Sequence, residues 1–127
     1  MHPHIKAHLT ALSQQYSICV DPFAGDGHLL NAVAEFGFTS IGHDVDPAIC
    51  RSNGWGVPND SIRNVVVHDG AFVLTNPPYL AKNSAKRLDS PMVEYFRDSA
   101  VLVAGSGRAT VLDDLFKLAI ERTISHY

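Results

Sequence analysis

Apolar positions change their spacing several times along the first half of the chain. In "IKAHLTALSQQY" Ile5, Leu9, Leu12 and Tyr16 recur about every four positions, which predicts an amphipathic helix. "SICVD" is a short apolar run that predicts a buried strand ending at Asp21. After "PFAGDG", Leu29, Val33 and Phe36 form a second helical stripe, closed by Gly37 as a C-cap. "TSIGHDV" predicts another strand, and "DPAICRSN" opens a helix with Pro47 near its first turn. Strand, Gly-rich turn, helix, strand is the grammar of a parallel α/β sheet.

The pattern then weakens. "GWGVPNDSIRN" is broken by glycine, proline and asparagine and predicts a loop. "VVV" and "AFVLT" are apolar runs separated only by "HDG". A parallel crossover needs roughly a dozen residues, so the two runs form a hairpin or only one is a strand. Leu112, Leu115, Phe116, Ala119 and Thr123 or Ile124 mark a last helix, with Asp113 and Asp114 in its first turn and Arg122 in its last, as the helix dipole favours.

At 127 residues, 46% hydrophobic and 18% charged, the chain is expected to form one domain, residues 1–127, with a modest core. No apolar run reaches the roughly 18 residues of a membrane span, and "MHPHIKAHLT" lacks a signal-peptide core, so a cytoplasmic protein is expected. A net charge of −3 argues against a surface that coats nucleic acid and leaves room for a local basic patch. Cys19 and Cys50 show no metal-like spacing and read as reduced structural thiols. His2, His4 and His8 read as an exposed, disordered terminus rather than a metal site. His28, His43 and His68 have no usable spacing, and Trp55 reads as a packing residue.

Two stretches carry chemistry. "DPFAGDGHLL" follows a strand and opens a helix, where a parallel sheet binds ligands at the carboxyl ends of its strands. Gly25 and Gly27 allow a tight turn and close approach of backbone to ligand. Leu30 stands where a dinucleotide fingerprint needs its third glycine, and the lysine of a P-loop is missing. Asp21 and Asp26 make a poor phosphate cradle and suit a ligand with a cationic amino group. The second stretch is "VLTNPPYL", where an apolar run meets two prolines flanked by Asn76 and Tyr79. The prolines fix φ and press their neighbours towards extended backbone, which makes a rigid corner at a strand end.

In these motifs the chain resembles the class I S-adenosylmethionine-dependent methyltransferases. "DPFAGDG" is similar to their cofactor motif, "GHDVDP" to the ribose-binding motif, and "NPPY" to the catalytic motif of the N6-adenine DNA methyltransferases of restriction-modification systems. The resemblance covers roughly residues 17–80, and reaches the C-terminus if "LDDLFKLAIERTI" is the helix after the catalytic loop. It implies an α/β, Rossmann-like sheet with flanking helices, S-adenosyl-L-methionine as cofactor without a metal, and an adenine-specific methyltransferase acting on double-stranded DNA with a flipped adenine.

Carried over residue by residue, Asn76, Pro77, Pro78 and Tyr79 are the catalytic corner. Asp21 with Phe23, Ala24, Gly25 and Gly27 holds the methionine part, and Asp44 accepts the ribose hydroxyls, leaving Asp46 or Asp44 as a possible solvated loop acid. Asp60 is the expected adenine contact, ahead of Asp69. Lys82, Lys86 and Arg87 in "KNSAKR" are candidate DNA phosphate contacts, or a solvated loop. The chain departs from the family in length. It stops one helix after the fourth strand position, with no residues for the later strands or a target-recognition domain, so a fragment is expected, or a sheet completed by a second chain. "AFVLT" then stands at an edge. Two alternatives come with the resemblance: an amino-methyltransferase acting on rRNA or a protein glutamine, and a non-catalytic cofactor-binding remnant.

Overall fold

The computed structural model describes residues 1–79 and 115–127. They fall into two compact units, one of Met1–Ser61 with Val66–Asn76 and the other containing residues 62–65, 77–79 and 115–127.

The first unit is a small α/β structure. Helix α1 (Pro3–Ser13) leads to strand β1 (Ile18–Asp21), helix α2 (His28–Ala34), strand β2 (Thr39–Gly42), helix α3 (Pro47–Asn53) and strand β3 (Ala71–Val73). The three strands make one parallel sheet in the order β2-β1-β3. Central β1 pairs on both sides: Ile18 sits opposite Thr39 and Ala71, and Val20 opposite Ile41 and Val73. Cys19, Val20 and Asp21 are fully or almost fully buried, as a strand covered on both faces must be. The Leu74 amide donates to the Val20 carbonyl at 3.0 Å and carries the ladder one step past β3.

The apolar core gathers Leu9, Cys19, Ala24, Leu30, Val33 and Phe38, with Leu12, Tyr16, Phe36, Trp55, Phe72 and Leu74 packed against it. Phe72 of β3 meets the Phe38 ring edge-on at 4.8 Å and the Tyr16 ring at 5.9 Å, which joins the outer strand to the segments flanking α1 and β2.

Most elements lie where the apolar spacing places them, with four instructive differences. The terminus expected to be disordered is helical from Pro3, with His2 Nδ1 accepting from the His4 amide as an N-cap; His2, His4 and His8 are exposed, as expected. On α2 Leu30 takes the core place expected of Leu29, while Val33 of the expected stripe is buried and Phe36 packs against the core. Gly37 takes a left-handed φ of 87° just beyond a C-cap at Glu35. Of the two apolar runs before the proline corner only "AFV" is a strand, and it is parallel to β1, so there is no hairpin. The long connection from β2, which contains α3, supplies the crossover.

In the second unit, helix α4 (Leu115–His126) buries Leu115, Leu118, Ala119 and Thr123, with the Thr123 hydroxyl donating to the Ala119 carbonyl at 2.8 Å. Ile124 of the expected stripe is 73% exposed, which assigns that end of the face to Thr123. Leu112, Asp113 and Asp114 lie outside the described residues. None of the described helices is long and apolar enough to cross a membrane.

Candidate functional site

The sheet order fixes where a ligand belongs. Strand β1 is followed by a crossover to β2 on one side, and β3 pairs on the other, so the carboxyl ends of β1 and β3 border a topological switch point. A cleft of about 440 Å³ opens there, lined by Asp21, Phe23, Ala24, Gly25, His28, Leu29, Ala32 and Asn76. It unites the turn after β1 with the first residue of the proline corner after β3. Helix α2 adds one wall, with Leu29 and Ala32 one turn apart.

The turn "DPFAGDG" is built from short-range bonds within it and long-range bonds to residues beyond β2. Asp21 closes it locally, its carboxylate accepting from the Phe23 amide at 3.0 Å, and the Gly27 amide returns to the Ala24 carbonyl at 2.9 Å. Gly25 and Gly27 stand at φ of 50° and 74°, left-handed conformations that glycine adopts without steric cost. From the β2 side the Ala24 amide donates to the His43 carbonyl at 2.8 Å, and the His43 amide to the Asp21 carbonyl at 2.9 Å.

Asp44, just past β2, has both carboxylate oxygens engaged: one accepts from the Gly25 amide at 3.0 Å, the other from the Asp46 amide at 2.8 Å. Its carbonyl accepts from the Asn59 amide at 2.8 Å and from the Cys50 thiol at 3.3 Å. Asp46 in turn caps α3, accepting from the amides of Ala48 and Ile49 with Pro47 behind it. Both acids therefore have structural duties, and neither is a merely solvated loop acid.

Electrostatics single out Asp21. It is only 2% exposed, and burial raises its carboxyl pKa above the usual range, with the Asp44 charge adding in the same direction. The Thr75 hydroxyl and the Phe23 amide draw it back down, and among the described residues no cation acts on it. Thr75 Oγ1 is itself buried without a geometrically complete hydrogen bond among the described residues, so its proximity to Asp21 counts for less than the well-formed bond from Phe23. Beneath, burial and the Asp21 charge push the Cys19 thiol up to about 11, so that it stays protonated and inert. Cys19 and Cys50 are both free and buried.

The expected site residues divide accordingly. Asp21, Phe23, Ala24, Gly25 and Asn76 meet in the cleft, while Gly27, Asp44 and Asp60 are not among its lining residues. Pro77, Pro78 and Tyr79 belong to the second unit, where the Tyr79 ring lies 5.6 Å from Phe116 of α4. Lys82, Lys86 and Arg87 fall outside the described residues. Among the described residues no group of three or more histidine, cysteine or acidic side chains is placed to hold a metal. Sequence reasoning missed His28, Leu29 and Ala32 as lining residues; their i, i+1, i+4 spacing on α2 was the available signal. Comparison with protein-family models, with curated proteins and with solved structures gives no match.

Proposed function

We propose that this chain binds S-adenosylmethionine in the β1/β3 crevice and is the cofactor-binding and catalytic part of a Rossmann-like methyltransferase acting on the N6 amine of adenine in DNA. The observation that carries this reading is the cleft that joins the glycine turn after β1 to Asn76 after β3.

The lining suits the cofactor. Its volume of about 440 Å³ lies within the roughly 300–1,000 Å³ of small-molecule sites. Asp21 is a buried carboxyl on which no cation among the described residues acts, and the amino group of the methionine part supplies one. Beyond its chain neighbours, no atom of the described residues lies within 4 Å of the position a Cβ on Gly25 would take, so a ligand can approach its backbone. Among the described lining residues there is no lysine or arginine to pair with a phosphate. Asp44 receives the ribose hydroxyls in this reading. A carboxylate offers about four acceptor positions, of which the Gly25 and Asp46 amides use one on each oxygen. Asp60 receives the adenine edge.

When bound, the cofactor supplies an electrophilic methyl group on a sulfonium centre. The chain's task is to prepare the amine, whose lone pair is delocalised into the adenine ring. The side-chain oxygen of Asn76 and the carbonyl of Pro77 accept its two hydrogens as nitrogen becomes tetrahedral, stabilising the positive charge that develops there. Pro77 and Pro78 hold those acceptors rigidly. Tyr79, 67% exposed, stacks on the flipped base, and Lys82, Lys86 and Arg87 contact phosphates.

Replacing Asn76 by alanine tests the reading. Transfer of labelled methyl to adenine in duplex DNA is expected to fall by roughly 100-fold or more, with cofactor affinity little changed. Transfer at an unchanged rate contradicts the mechanism. Transfer to rRNA or to a protein glutamine instead of DNA keeps Asn76 and reassigns the substrate. Cofactor binding with transfer to none of the three leaves a non-catalytic binding module.

A further inference from the structure

Trp55 has no part in the proposed chemistry, yet among the described residues it makes the longest-range bond to the turn after β1. Helix α3 ends at Gly54, whose left-handed φ of 73° turns the chain back. The Trp55 amide bonds to the Cys50 carbonyl at 3.0 Å, and the side chain is directed onto the turn after β1. There the indole Nε1–H donates to the Gly25 carbonyl at 3.0 Å. The ring also nests where two glycines leave room: a Cβ on Gly27 would stand 2.6 Å from it, and one on Gly42 would stand 2.7 Å from it. No real side chain fits at such distances, so Gly27 and Gly42 are the cradle of the indole.

Asp44 completes the arrangement. It takes the Gly25 amide at 3.0 Å while Trp55 takes the Gly25 carbonyl, so the peptide groups on either side of Gly25 are both held from the β2 side. None of Trp55, Gly27, Gly42 and Asp44 is among the residues lining the cleft. The turn is thus fixed from behind and open in front.

We infer that Trp55 is a positioning residue for ligand binding: its Nε1–H holds the Gly25 carbonyl, and its ring closes the β2 side of the turn, so that the β1/β3 crevice receives a turn of set shape. The inference rests on the cofactor reading for the identity of the ligand, but not for the role of the indole. It makes two further statements. The geometry of the turn depends on one N–H group more than on the bulk of the ring. And because this is the only tryptophan, its fluorescence reports on occupancy of the cleft.

The test separates the hydrogen bond from packing. Trp55→Phe removes the donor together with part of the ring, and incorporation of benzothienylalanine at position 55 keeps the ring shape while replacing N–H by sulfur. Amide hydrogen exchange is read at Gly25, Asp26 and Gly27, with the β2 amides as internal reference. Loss of one such bond predicts roughly fivefold faster exchange in the turn for both variants, with the β2 amides unchanged. In parallel, S-adenosylhomocysteine is titrated into the wild-type chain and both variants, followed by calorimetry and, for wild type, by indole emission. Wild type is expected to bind with an emission change and both variants to bind roughly fivefold more weakly. If turn exchange is unchanged in the benzothienylalanine protein, or if affinity is unchanged while wild type binds, the positioning role is wrong. If the folded wild type binds no S-adenosylhomocysteine but turn exchange rises in both variants, the cofactor reading fails and the role of Trp55 in shaping the turn stands.

Discussion

The two sides of the glycine turn after β1 are built on opposite principles. On the β2 side everything is occupied: Asp44 holds the Gly25 amide, Trp55 holds its carbonyl, and the indole fills the space above Gly27 and Gly42. On the β3 side a cleft of about 440 Å³ remains, floored by a buried carboxyl and bordered by Asn76. Structural demand is met on one side so that the other can present polar groups to a ligand. A binding site needs such an asymmetry, because a turn held by nothing would collapse into its own cleft.

Breaking the occupied side should have the largest effect. Gly27→Ala combines a left-handed φ of 74° with a contact of 2.6 Å to an anchored ring, whereas Gly25→Ala meets only the strain of its φ of 50°. In urea unfolding Gly27→Ala is expected to lose about 3 kcal/mol or more and Gly25→Ala about 1 kcal/mol. Similar losses for the two would mean that the indole does not set the fit. Next in size, Asp44→Ala removes two amide bonds to a carboxylate and is expected to cost about 2 kcal/mol, and on the proposed function it also weakens cofactor binding. Asp44→Asn keeps an acceptor and should cost less than half of that. Equal losses would remove Asp44 from the structural side of the comparison.

The open side predicts the reverse sign. Burial raises the Asp21 pKa, so between its unfolded and folded values the folded state holds the extra proton. Stability from this group is therefore present below the unfolded value of 3.8 and is lost as pH rises through the raised folded value. At neutral pH the buried Asp21 carboxylate therefore opposes folding, and Asp21→Asn should stabilise the ligand-free chain while abolishing the cofactor binding proposed above. A destabilised Asp21→Asn protein would show that the carboxylate serves the fold.

The smallest effect belongs to His43 and His68, whose Nε2 atoms lie 3.0 Å apart with the rings stacked at 5.3 Å. One shared proton suits this contact and two do not. Burial and then His68 lower the His43 pKa below 6.5, so the unfolded chain takes up the proton first as pH falls. Stability is full above about 6.5 and declines in acid, and His43→Gln should flatten that decline between pH 7.5 and 5.5. An unchanged slope, measured from urea midpoints, would exclude the pair as its source.

What the sequence makes legible follows from the range of each interaction. Strands β1 and β2 and helices α1, α2 and α3 announce themselves through local spacing, Pro47 and the capping Asp46. The cleft residues Asp21, Gly25 and Asn76 are legible because turn chemistry and strand ends mark them. The three-residue β3 is too short to give a period of its own, and its pairing with β1 could be reached only through the crossover-length argument. Asp44 and Trp55 meet Gly25 across 19 and 30 residues, and contacts of that range leave no periodic trace. Leu29 and Leu30 exchanged roles because the register of a seven-residue helix is set by what it packs on.

The most direct test of the open side is calorimetric titration of the 127-residue chain with S-adenosylmethionine, beside Asp21→Asn and Asn76→Ala, each first shown to be folded by circular dichroism. The expected result is saturable one-to-one binding by wild type, loss of binding in Asp21→Asn, and near-native affinity in Asn76→Ala. A folded wild-type chain that takes up no cofactor, or an Asp21→Asn protein that binds as wild type does, would contradict the assignment of the β1/β3 cleft.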